Sequence, residues 1–112
     1  MSSRILYQDR AAALSDEALV LRGFTKILGG KRRIPLAHIV SFRLRPSTDF
    51  PNEQIPKWGV DDRGVWYTRD AHRWRRRTAV ELTFKNGETV GFSPAHPDRM
   101  RTLLLEIGLK EL

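Results

Sequence analysis

The sequence predicts a single, mainly β domain closed by one C-terminal helix. Apolar residues recur at every second position through residues 40–44 and 78–92, and beyond residue 94 they recur at every third and fourth. No repeat, low-complexity tract or linker divides the 112 residues. At that length folding buries roughly two-thirds of the unfolded chain's surface around one core, so residues 1–112 read as one domain.

Taken in order, residues 11–14 and 18–24 are short apolar segments separated by Ser15-Asp16-Glu17, whose side chains can bond nearby backbone in a turn. They read as adjacent strands. Leu28-Gly29-Gly30 then supplies the positive φ of a tight hairpin leading into Lys31-Arg32-Arg33-Ile34. Pro35 cannot donate to a sheet, so residues 34–38 read as a short turn. In the strand that follows, Val40, Phe42 and Leu44 face the core and Ser41, Arg43 and Arg45 face water. Residues 45–63, rich in proline and aspartate, read as a long internal loop.

Residues 78–93 form a hairpin in which Val80, Leu82 and Phe84 alternate with Ala79, Glu81 and Thr83 on a wet face. A two-residue Asn86-Gly87 turn would put Val90 and Phe92 on the face of Glu81 and Thr83. A three-residue Lys85-Asn86-Gly87 loop with a left-handed Gly87 pairs Leu82 with Val90 and Val80 with Phe92, and is the register expected. The change of period then places Met100, Leu103, Leu104 and Ile107 on one face of a helix over residues 97–107. Pro97 suits its first position, Asp98 the positive end of its dipole and Gly108 its C-terminal cap. A helix this short needs its apolar face packed on the strands.

Composition narrows the function classes. Without cysteine the chain has no disulfide, thiolate zinc site or cysteine nucleophile, and cytoplasm is the expected compartment. No stretch approaches the ~20 apolar residues of a transmembrane segment, and the N-terminal residues lack a signal-peptide pattern. The net charge of +7 favours encounter with anionic surfaces.

A run of antiparallel strands closed by such a helix resembles the pleckstrin-homology-like architecture. The residues themselves resemble small bacterial proteins with that domain: Arg4-Ile5-Leu6-Tyr7-Gln8-Asp9, Leu14-Ser15-Asp16-Glu17-Ala18-Leu19-Val20-Leu21-Arg22 and Lys31-Arg32-Arg33-Ile34-Pro35-Leu36-Ala37-His38-Ile39. Lys57-Trp58-Gly59-Val60, Val65-Trp66-Tyr67 and Ser93-Pro94-Ala95-His96-Pro97-Asp98 extend the likeness over most of the chain. The resemblance implies a partly open antiparallel barrel of about seven strands capped by the helix. It implies a scaffold and no single function, since such folds serve lipid, peptide and self-assembly roles alike. Lys26, Lys31, Arg32 and Arg33 depart from the lysine-then-arginine-x-arginine spacing of phosphoinositide-binding members.

Arg69, Arg73, Arg75, Arg76 and Arg77, beside Trp66, Tyr67 and Trp74, make the strongest candidate binding surface. Arginine forks suit phosphate or carboxylate, and aromatics stack on bases. The plain alternative is a solvated connection next to a core strand. Lys31 and Arg33 add a second basic group on one strand face, which also protects a sheet edge. Trp58 reads as a plug tacking the long loop down. Asp61-Asp62 beside Arg63-Gly64 reads as a turn, and His38, His72 and His96 stand in no zinc spacing, so neither metal nor cofactor is expected. No nucleophile elbow, phosphate loop or dinucleotide fingerprint is present, and catalysis is not expected. Two functions follow. One is a binding module that engages a protein partner or itself through exposed strand edges; the other is an anion-binding domain for nucleic acid or acidic lipid.

Overall fold

A computed structural model describes residues 4–23, 30–70 and 76–112. The described chain is mainly β, with two sheets and one α-helix. The first sheet is an antiparallel meander of β1 (Ile5–Gln8), β2 (Ala12–Ser15), β3 (Ala18–Arg22) and β4 (Lys31–Pro35). Its turns are made by side chains. Asp9 accepts the N–H groups of Ala11 and Ala12 at the first, and Ser15 Oγ accepts those of Glu17 and Ala18 at the second, as the Ser15-Asp16-Glu17 reading requires. Gly23 donates to Gly30 O at the base of the third loop, while Leu28 and Gly29 lie outside the described residues.

After Pro35 a single 3-10 turn, Leu36–His38, delivers the chain to β5 (Ile39–Pro46) in the second sheet. That sheet also contains β6 (Gly59–Val60), β7 (Trp66–Tyr67), β8 (Thr78–Phe84), β9 (Thr89–Phe92) and β10 (Lys110–Glu111), in the order β10-β5-β8-β9-β7-β6. The β8–β9 register is the expected one, with Val80 opposite Phe92 and Leu82 opposite Val90. Gly87 has φ 87° and donates to Phe84 O, and Phe84 donates to Glu88 O, which is a type I turn closed by a glycine bulge.

The helix α1 (Pro97–Glu106) buries Met100, Leu103 and Leu104 against both sheets, with Ile107 packed at its end. Gly108 (φ 97°) donates to Leu105 O and Leu109 to Leu104 O, a Schellman cap that reverses the chain. The residues after it return as β10, parallel to β5. The core joins Leu14, Leu19 and Ile34 of the first sheet to Phe42, Leu82 and Phe92 of the second.

Three expectations are corrected. Val40 does not face the core: a bulge between Ile39 and Ser41 shifts the alternation, Ile39 turns inward and Val40 is 49 % exposed. The number of strands is ten among the described residues where about seven were expected, because β6, β7 and β10 are too short to leave a period in the sequence. These strands lie in two sheets, with no closed barrel among the described residues. Finally, the second face of β8 is dry. Ala79 and Glu81 are buried there, and Phe50, Ile55, Val65 and Tyr67 build a second small core over Ala79.

Candidate functional site

The segment that covers β8, residues 47–65, is a strap with internal structure. Ser47 donates to Arg77 O at 2.7 Å where it leaves β5, and two 3-10 turns follow, Ser47–Asp49 and Pro51–Glu53. Asn52 (φ 57°) and Glu53 (φ 55°) sit consecutively in the left-handed region, a conformation that a non-glycine residue holds only when its surroundings impose it. Asp61 then closes a tight turn, its Oδ1 accepting the N–H groups of Arg63 at 2.9 Å and Val65 at 3.0 Å. This is the turn that Asp61-Asp62 was expected to make.

Beneath the strap lies a buried ion cluster. Glu81 is 5 % exposed, and its carboxylate accepts hydrogen bonds from Arg63 Nη2 at 2.6 Å and the Tyr67 hydroxyl at 2.7 Å. Arg45 Nε lies 3.6 Å away, and Arg63 also pairs with Asp61 at 2.8 Å. The hydrogen bond to Glu81 raises the Arg63 pKa further above its already high value, and burial followed by the Glu81 bond drives that of Tyr67 far up. Arg45 and Arg63 lie 5.9 and 5.6 Å from the Phe50 ring, and Tyr67 meets that ring edge-on. Gly91 lies under the Tyr67 ring, where a Cβ would collide with it. The strap is therefore pinned by charge and clamped on its aromatic residue.

Against this clamp opens a cavity of about 680 Å³, lined by the apolar Phe50, Pro51, Ile55 and Pro56 and by the polar or charged Glu53, Gln54, Lys57, Asp61, Asp62 and Arg76. Arg76 is half-buried, and its buried Nε has no hydrogen-bond partner among the described residues. A buried donor left unpaired costs about 1–3 kcal/mol.

The predicted site residues are distributed rather than gathered. Arg76 lines the cavity, Arg77 is exposed with its carbonyl bound to Ser47, and Arg69 is exposed with its N–H held by Gly23 O at 2.7 Å. Arg73, Trp74 and Arg75 lie outside the described residues, as does His72. Trp66 is half-buried and meets Trp58 edge-on at 6.1 Å; Trp58 is 43 % exposed, so Phe50 and Ile55 plug the strap in its place. Lys31 and Arg33 are exposed on one face of β4. Arg32 turns the other way to pair with Glu88 at 2.9 Å over the Phe84 ring. Arg33 and His38 line a separate cleft of about 320 Å³ with Phe84 and Lys85.

Sequence reasoning missed Glu81, Arg63 and Arg45 as a unit, because alternation alone assigned Glu81 to solvent. The signal for them was present in Phe50, Ile55, Val65 and Tyr67, too many apolar residues for a solvated loop. It also missed a second polar junction. Tyr7 donates its hydroxyl proton to Asp9, Asp9 accepts Ala95 N–H at 2.7 Å, and the Tyr7 hydroxyl accepts His96 N–H at 3.1 Å. Burial, then the Asp9 bond, pushes the Tyr7 pKa up to about 12. Burial alone would raise that of Asp9, but the bonds from Tyr7, Ala95, Ala12 and Ala11 outweigh it and hold the carboxyl below its ordinary range.

Among the described residues no group of three His, Asp or Glu side chains is placed to hold a metal, and no helix is long and apolar enough to cross a membrane. Comparison with protein-family models, with curated proteins and with solved structures returns no match.

Proposed function

We propose that the chain is a non-catalytic binding module of pleckstrin-homology-like build that self-associates through the edge of its second sheet. The build is supported by the order of a four-stranded meander, three antiparallel strands (β5, β8 and β9) and a terminal helix lying over the core they share. On this reading the strap, with β6 and β7, is an addition between β5 and β8. The non-catalytic reading rests on the Glu81 carboxylate, the most deeply buried acid of the described chain, being committed to Arg63, Arg45 and Tyr67 and so spent as a general base.

The observation that carries self-association is an exposed apolar pair at the sheet edge: Val60 is 64 % exposed on the outermost strand β6, and Trp58, just before that strand, is 43 % exposed. An edge strand of this kind is a template for pairing. A two-fold antiparallel pairing of β6 centred between Gly59 and Val60 sets Lys57 opposite Asp62 of the second copy, so the edge is complementary to itself in charge. Light scattering on size-exclusion peaks is expected to give a mass that rises with concentration through the micromolar range, and Val60→Lys is expected to hold the protein monomeric. A monomer at every concentration ends the proposal.

A second reading is favoured by the exposure of Lys31, Arg33, Arg69 and Arg77 on a chain of net charge +7. These residues, with Arg73, Arg75, Arg76, Trp66 and Trp74, would serve nucleic acid or acidic lipid. Binding of either should then weaken steeply with salt, and the absence of a mobility shift at low salt rejects it.

A further inference from the structure

We propose that the cleft lined by the end of β4, His38 and the β8–β9 loop binds a phosphate group as its dianion, free or as a small monoester. The site shares only Arg33 with the basic residues of the second reading and does not depend on the β6 pairing. Its volume of about 320 Å³ is near the lower end of small-molecule sites, which suits one compact group better than an extended chain.

The walls carry one sign of charge. Arg32, Arg33, His38 and Lys85 are the ionisable residues of the lining, and among the described residues no carboxylate joins them, whereas the cavity under the strap mixes Glu53, Asp61 and Asp62 with Lys57 and Arg76. Glu88 offsets Arg32 from outside the lining, at 2.9 Å. Arg33 meets Glu17 at 3.9 Å with both side chains more than half exposed, a contact worth little in water. Lys85 is exposed and forms no ion pair among the described residues. Two cations are thus left to a ligand. A phosphate monoester, with about 1.5 to 2 negative charges near neutral pH, matches them better than a carboxylate does.

The neutral groups add donors. Asn86 Oδ1 already accepts Glu88 N–H at 2.9 Å, so what its amide offers a ligand is its NH₂ group, and the His38 ring can donate as well. An arginine fork, a lysine point charge and neutral N–H groups are a donor set that suits phosphate oxygens. Arg33, His38, Lys85 and Asn86 are all exposed, so a ligand reaches them without displacing the core. The backbone on the two sides is held in advance. Lys85 N–H donates to His38 O at 2.9 Å, and Gly87 N–H donates to Phe84 O at 2.9 Å across the turn that carries Lys85 and Asn86. Backbone fixed before the ligand arrives lowers the ordering cost of binding.

An NMR titration of the full chain with phenyl phosphate, inorganic phosphate and benzoate tests the assignment. Saturable shifts of the His38, Lys85 and Asn86 amides are expected with at least one of the two phosphates, and benzoate should bind about tenfold more weakly than the tighter phosphate. Tighter binding of phenyl phosphate assigns the site to a monoester; equal or tighter binding of inorganic phosphate assigns it to the free ion. Arg33→Gln and Lys85→Gln should each weaken binding about tenfold. Arg99→Gln removes the same charge from the exposed start of α1 and should leave the affinity within about twofold, because a distant surface charge is screened. Four results overturn the proposal: no saturable shift with either phosphate; benzoate binding as tightly as the tighter phosphate; undiminished binding in a folded Arg33→Gln or Lys85→Gln protein; or an equal loss in Arg99→Gln.

Discussion

The two faces of β8 are covered in opposite ways. Val80, Leu82 and Phe84 meet the main core, an apolar interior shared by both sheets and the helix. Ala79 and Glu81, on the other face, meet a strap whose grip combines the apolar Phe50, Ile55 and Val65, joined by Tyr67 of β7, with the Glu81–Arg63–Tyr67 ion cluster. Apolar burial is non-directional and scales with area, whereas a buried ion cluster acts through a few directed bonds and fails when one is removed. The first face therefore belongs to the global fold. The second is expected to behave as a local unit that opens without it.

The sharpest way to break this contrast is to cut each face separately. Phe92→Ala, on the core side, should cost about 3–5 kcal/mol and lower the denaturant midpoint of the whole domain. Glu81→Ala should cost about 2–3 kcal/mol, less than a fully enclosed pair because Arg63 keeps part of its surface in water. Hydrogen exchange should then locate the loss. In Glu81→Ala the amides of residues 61–67 should exchange faster while those of β2 and β3 keep their protection; uniform acceleration across both sheets would show the strap to be part of the global unit.

The smallest effect concerns acid. Because the folded state holds the Asp9 carboxyl below its ordinary range, its contribution is complete above the unfolded aspartate value of about 3.9 and is lost as pH falls through the folded value. Stability measured from neutral pH downward should thus steepen its decline below about pH 4, and Asp9→Asn should flatten that decline while lowering stability at neutral pH. An unchanged acid limb in Asp9→Asn would remove Asp9 from the account. The opposite sign holds for Tyr7: its contribution is present below about pH 10 and fades as pH rises toward about 12.

How far the sequence reaches depends on the range of the signal. The β8–β9 hairpin and the helix were legible because Asn86-Gly87, Pro97 and Gly108 dictate backbone conformation on their own, and the structure uses each as expected. Val40 was misplaced because a bulge shifts phase without altering composition. The strap escaped because its partners are far off in the chain, Arg63 to Glu81 and Phe50 to Tyr67, and no local period encodes such contacts. The same reason limits the site. Arg76 was picked out for its charge, but nothing near it in sequence indicated that it would line one cavity with Phe50 and Ile55.

The junction of Tyr7 and Asp9 with Ala95 and His96 spans nearly ninety residues of chain, with Ala95 bonded to Asp9 at a separation of 86 positions. Closing so wide a loop is costly in entropy and comes late in assembly. A polypeptide leaving the ribosome could complete its first β-turn almost at once, yet the Asp9 carboxylate would wait, solvated and only partly bonded, until the start of the helix emerged. Maturation of the domain thereby waits on the synthesis of residues 95 and 96.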